Sequence, residues 1–173
     1  MDLMLITLTA MIKRMFRGIL ITVVVTMGLQ LVNAQSIATQ SLTLQVQAVT
    51  KIAVSGNPGA LIITDAIAGS NLTAVADNST NYSITTNTDN MKIVGSISAP
   101  MPAGTRLMIQ LASTRGISLG SMDVSNALSP VDLVTGVNKG SDQNKSISYV
   151  FSANADVPNI PSDSRIITLT LTN

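Results

Sequence analysis

Residues 145–153 read KSISYVFSA. Ile147, Tyr149 and Phe151 fall on one side of an extended chain, and Ser146, Ser148 and Ser152 on the other. Successive side chains of a strand point to opposite faces, so this period of two marks a strand with one face in a core and one toward water. Working outward, Val131 to Val137 reads as another strand, ended by Asn138-Lys139-Gly140-Ser141. Thr105 to Leu111 (TRLMIQL) alternates, with Leu107, Ile109 and Leu111 inward and Arg106, Met108 and Gln110 outward. Met91 to Ile97 (MKIVGSI) places Met91, Ile93, Gly95 and Ile97 on one face. A glycine there predicts a bulge or a close backbone approach.

The same reading extends to both ends. Asn154 to Ser164, with Pro158 and Pro161, is a loop, and Arg165 to Thr172 (RIITLTLT) a closing strand. Toward the N-terminus, Tyr82 to Thr86 is extended, with Tyr82 and Ile84 on one face. Thr88-Asp89-Asn90 and Gly56-Asn57-Pro58-Gly59 are turns, because Gly and Asn tolerate positive φ and Pro fixes its own. Asp77-Asn78-Ser79-Thr80 is expected to break the chain between strands. Ala60 to Thr64 is expected to be a short strand, and Asn71 to Ala76 another. Val124 to Leu128 reads as one helical turn or a loop. Ser41 to Val49 (SLTLQVQAV) alternates Leu42, Leu44, Val46 and Ala48 against Thr43, Gln45 and Gln47, and is expected to form a half-buried strand. Lys51 to Val54 continues it or starts another after a bend.

About eight to ten short strands with turn signals every 8 to 12 residues are the signature of an all-β sandwich or barrel. A single Ig-like antiparallel sandwich over residues 35–173 is the expected fold. Two inner faces of β-branched residues interdigitate without aromatics, which make up only 2% of the chain. Strands this short, without aromatic girdles, argue against a membrane barrel.

Ahead of that domain, residues 12–34 read as a signal peptide, so the expected division is 1–34 and 35–173. Lys13, Arg14 and Arg17 form the basic part, Gly18 to Val32 (GILITVVVTMGLQLV) the apolar run, and Val32-Asn33-Ala34 the cleavage site before Gln35. The run is shorter than the roughly 20 residues of a membrane span. An uncleaved anchor is the alternative. Residues 1–11 precede the basic cluster, so Met11 or Met15 fits better as the start, with a bipartite leader as the other option. Exported, the chain is expected in the periplasm, at the cell surface or outside the cell.

The net charge of +1 includes this leader. Residues 35–173 hold seven Lys and Arg against eight Asp, a net charge of −1. Such scattered charge offers no stripe for phosphate, which argues against nucleic acid and against docking on anionic lipid. The chain has no Cys, so no disulfide staples it, and a domain of this size buries roughly two thirds of its unfolded surface without one.

Catalytic chemistry has few carriers. The absence of His and Cys excludes Ser-His-Asp and Cys-His sites and the usual zinc ligands. Beyond the leader every carboxylate is an Asp, and most sit beside Asn, Ser or Gly, where a short acceptor caps a turn. Asp77-Asn78, Asp89-Asn90 and Asp142-Gln143-Asn144 have calcium-type oxygens but not the loop spacing of an EF-hand. No catalytic, cofactor or metal residue is therefore assigned, and no enzyme activity is expected. Sequons at Asn71, Asn78, Asn81 and Asn144 are what an Asn/Ser/Thr-rich chain supplies by chance.

A leader, the alternating SLTLQVQAV, a Cys-free Thr/Ser/Asn-rich β domain and the closing ITLTLT together resemble bacterial fimbrial-subunit and adhesin sandwiches. The likeness is one of layout and carries over no functional residue. It implies an exported structural or adhesive surface protein, such as a pilus or appendage subunit, that meets protein partners or copies of itself. The alternative is a monomeric periplasmic or secreted module that binds carbohydrate or protein. Donation of the first strand to a neighbour's sheet edge is one route to self-association. A glycan site is weakened by the lack of Trp, with Tyr82 and Tyr149 the only Tyr residues.

Overall fold

Thr105–Leu111 is a strand, and its side chains alternate as the pattern requires: Leu107, Ile109 and Leu111 are buried, Arg106 and Gln110 exposed. It is β4 of nine strands in the computed structural model, which describes residues 37–173. The leader, its expected helix, the start sites and the cleavage site lie outside the described residues. The others are β1 (Thr50–Val54), β2 (Val75–Thr86), β3 (Met91–Ile97), β5 (Ile117–Ser118), β6 (Met122–Asp123), β7 (Val131–Val137), β8 (Gly140–Ala153) and β9 (Ile167–Thr172). The β unit comprises Gln45–Asn173, so Ile37 to Leu44 fall outside it. Among the described residues no helix is long and apolar enough to cross a membrane.

The fold is an all-β sandwich of two antiparallel sheets. One has the order β1-β2-β8-β4-β6, the other β5-β7-β3-β9. The order follows from burial. β8 and β3 lie inside their sheets, and their inward residues close the core from both sides. Tyr82, Ile84, Ile109, Leu111, Ile147 and Tyr149 meet Met91, Ile93, Ile97, Leu133, Val137 and Leu171. Full burial of each aliphatic side chain contributes about 1.5–3 kcal/mol.

At Gly95 on β3 the atoms that approach are side chains rather than the backbone expected, while the register against β7 shifts between Met91 and Val94, as a bulge requires. Gly95 lies opposite Val131 of β7 and Leu169 of β9. A Cβ at this position would stand 2.7 Å from Cδ1 of the fully buried Leu133. Gly95→Ala is therefore expected to force Leu133 off its rotamer and cost about 1–3 kcal/mol, read as a lowered denaturant midpoint with unchanged slope.

Four local expectations are corrected. Ser41 to Val49 holds no strand until Thr50, and every side chain in it is exposed. Alternation reports that a segment suits a sheet face; a partner must supply the ladder. Ala60 to Thr64 is not a strand. Leu61 and Ile63 turn partly inward, and the only pairing nearby is an isolated bridge of Ala66 with Leu72. Asn71 to Ala76 is a loop except for that bridge and the first residues of β2. Asp77 to Thr80 does not interrupt the chain. β2 runs through it with a register shift against β8, and the Asp77 carboxylate accepts from Ser79 N at 3.0 Å and Ser79 Oγ at 2.8 Å. The local Asp hydrogen bonds that favour a turn here shape a bulge.

Candidate functional site

Two features stand apart from the packed core: the segment that enters β1, and a buried carboxylate between β8 and the loop after β4.

Residues 35–50 carry no charge. Within this segment Leu42, Leu44 and Val46 are 79%, 82% and 87% exposed. Its last residues are tied down by Asn87, in the turn between β2 and β3. Val49 N donates to Asn87 Oδ1 at 2.7 Å, Asn87 Nδ2 donates to the Gln47 carbonyl at 2.7 Å, and Asn87 N donates to the Val49 carbonyl at 3.2 Å. An Asn side chain with both donor and acceptor engaged acts as a clamp on the main chain. Asn87 gave no signal in the sequence, because its reach across 40 residues exists only after β1 and β2 pair.

β1 and β9 lie against each other along one lateral side of the sandwich. β9 is hydrogen-bonded to β3 on one edge, and among the described residues no strand pairs with its other edge. Ile167 and Leu169 of β9 and Ile52 of β1 pack on the core yet remain partly exposed. Thr168 and Thr170 face out.

Asp142 is only 4% exposed. Its Oδ1 accepts from Thr114 Oγ1 at 2.7 Å, its Oδ2 from Thr114 N at 2.9 Å, and Lys145 Nζ stands 3.1 Å from Oδ1. Burial opposes ionisation of this carboxylate. The two bonds from Thr114 and the pairing with Lys145 outweigh it and hold the pKa below the usual value. Such a carboxylate is a weak base, so the arrangement acts as a staple from the 112–116 loop to β8. Beside it, the Tyr82 hydroxyl donates to the Ala112 carbonyl at 2.6 Å, and burial is the main cause that pushes its pKa up to about 12. Arg115 adds a second staple: Nε donates to the Ser141 carbonyl and Nη1 to the Lys139 carbonyl, both at 3.2 Å. Its guanidinium lies over Gly140, where a Cβ would come within 2.5 Å of Cζ.

The Asp-Asn clusters weighed for calcium are spent on local contacts. Asp77 holds the β2 bulge and accepts from Gly59 N at 3.2 Å. Asp89 accepts from Lys139 N at 2.9 Å and pairs with its Nζ at 3.0 Å, which lower its pKa. Among the described residues no three Asp, Glu, His or Cys side chains gather as a cation site requires. Tyr82 and Tyr149 are 1% and 7% exposed, so neither offers a ring face to a sugar. At one end of the sandwich, Leu61, Met101, Phe151, Val157 and Ile160 line an open cleft of about 540 Å³ with Arg165 at its border.

No protein-family model matches the chain, and neither a curated protein nor a solved structure does.

Proposed function

We propose that this chain is an exported, non-enzymatic structural subunit of a cell surface or appendage that associates with further copies of itself through residues 41–46. The observation that carries this reading is the exposure of an uncharged, alternating segment ahead of a complete core. Leu42, Leu44 and Val46 have the period of a strand and lack a sheet, and an extended peptide with that period adds to an exposed sheet edge. Export follows from the basic, apolar and small-residue order of residues 12–34.

The test uses the product of the full chain expressed in an exporting bacterial host. Mass spectrometry is expected to find it beginning at Gln35. Light scattering is expected to show assemblies that grow with concentration, while Leu44→Asp stays monomeric with an unchanged unfolding midpoint, because Leu44 is outside the core. A monomer at every concentration, or assemblies indifferent to Leu44→Asp, overturns the reading. The open cleft beside Met101 and Phe151 then favours a monomeric binding module.

A further inference from the structure

We infer that the open cleft at one end of the sandwich binds a single-chain amphiphile with a carboxylate head, the chemistry of a fatty acid. The aliphatic chain lies among Leu61, Phe151 and Ile160, and the carboxylate pairs with Arg165. The site is separate from residues 41–46 and does not depend on the self-association proposed above.

The cleft is where the core opens to water. β8 ends at Ala153 in one sheet and β9 begins at Ile167 in the other, so residues 154–166 cross that end of the sandwich from sheet to sheet. Leu61, Met101 and Phe151 pack on the core there and stay only half-buried. Ile63, Val157 and Ile160 complete the walls. The volume of about 540 Å³ lies within the range of about 300–1,000 Å³ that small-molecule sites occupy. Apart from Phe151 none of these side chains is aromatic, and the flexible Met101 adapts to what it touches. The floor offers a peptide no ladder, because Phe151 is already paired with Val75 on one edge and Leu107 on the other. An aliphatic chain asks nothing of the main chain and gains from every CH₂ removed from water.

Residues 158–162 form a roof able to admit such a chain. The crossing is anchored at its start, where Asn154 N donates to the Gly104 carbonyl at 3.0 Å and Ala155 N to Asn71 Oδ1 at 3.1 Å. At its end Ile166 N donates to Ser98 Oγ at 3.0 Å. Among the described residues none is hydrogen-bonded to residues 158–162, and Pro158 and Pro161 have no N–H to give. Ile160 therefore rides on a span held at its two ends.

Arg165 supplies the partner for the head group. A guanidinium carries five N–H donors in a fixed fork. Nε and Nη2 donate to the Pro100 carbonyl at 3.2 Å and 3.1 Å, and Nη1 donates to the Ser164 carbonyl at 3.1 Å and to Asp163 Oδ2. One Nη2 N–H is left without a partner among the described residues, beside the Nη1 N–H that Asp163 holds through a single oxygen. Asp163 is exposed, and an exposed ion pair is weak enough to yield. An arriving carboxylate takes both N–H groups as a two-pronged pair, the stronger arrangement.

Calorimetric titration of the exported protein with sodium dodecanoate tests the site, and saturable one-to-one binding is expected. Decanoate, shorter by two CH₂ groups, is expected to bind about fifteenfold more weakly. Asp163→Asn removes the competing charge and is expected to tighten dodecanoate binding about two- to fivefold. Ile63 is not part of the packed core, so Ile63→Asp is expected to abolish binding with an unchanged unfolding midpoint, whereas Leu44→Asp keeps it. Four results each overturn the inference. No saturable binding is the first. Binding lost in Leu44→Asp and kept in Ile63→Asp places the chain on the exposed N-terminal segment instead. Equal affinity for dodecyl maltoside, whose head is neutral, removes the role of Arg165. Tighter binding of a neutral Ile- and Leu-containing hexapeptide makes the cleft a peptide groove.

Discussion

Tyr82→Ala is expected to lower the unfolding free energy by about 4 kcal/mol, near the top of the range for deleting a buried aromatic ring. In a core with so few aromatics, Tyr82 is among the largest fully buried side chains, on β2 between β1 and β8. Its removal leaves a void facing aliphatic neighbours that are stiff at χ1 and collapse poorly into it. Tyr82→Phe separates the ring from its hydroxyl. That change leaves the Ala112 carbonyl without its donor, but Ala112 is exposed and water replaces the lost bond, so the cost is about 1 kcal/mol or less. Urea unfolding of the pair checks the difference. A cost for Tyr82→Phe close to that of Tyr82→Ala would mean that the hydroxyl, not the ring, organises this side of the core.

The second large effect is expected at Asp142, where alanine costs about 3 kcal/mol. The substitution removes the acceptor of the Thr114 N–H and hydroxyl, which lie at an exposed residue and turn in part to water, and the partner of Lys145, whose side chain is 23% exposed. The pH dependence has a definite sign. The folded pKa lies below that of the unfolded chain, so the carboxylate stabilises the fold above the unfolded value, about 3.9, and this contribution is lost as pH falls through the folded value. The parent is therefore expected to lose stability between pH 5 and pH 2, and Asp142→Ala to show a shallower fall over the same interval. Parallel curves would place the acid sensitivity in the half-buried Asp77 and the exposed Asp89 and Asp163, whose pKa values are also lowered.

β3, β4 and β7 occupy the residues that period two marked, because each lies in a sheet with one face on the core and partners on both edges or a hairpin neighbour. Residues 60–64 and 41–49 carry a similar apolar density and form no strand. The pattern encodes compatibility with a sheet, whereas the ladder depends on residues far away in the chain. The β2 bulge was hidden for the opposite reason: the local hydrogen bonds of Asp77 read as an interruption, and pairing with β8 overrode it. Asp142 was read as a loop oxygen beside Gln143 and Asn144. Its burial follows from the long β8, which begins at Gly140, and from a loop delivered by β4, neither visible in a local window.

The pairing of β3 with β9 also bears on synthesis. β3 is made from residues 91–97, and one of its two edge partners is β9, residues 167–172, about 70 residues later in the chain. A polypeptide emerging from the ribosome N-terminus first presents β3 long before that partner exists. One edge of β3 stays unsatisfied until residues 167–172 have been made, and such non-local pairing makes folding slow. The sandwich is therefore expected to close only after residues 167–172 are available, and a nascent chain stalled before Ile167 to remain protease-sensitive around β3.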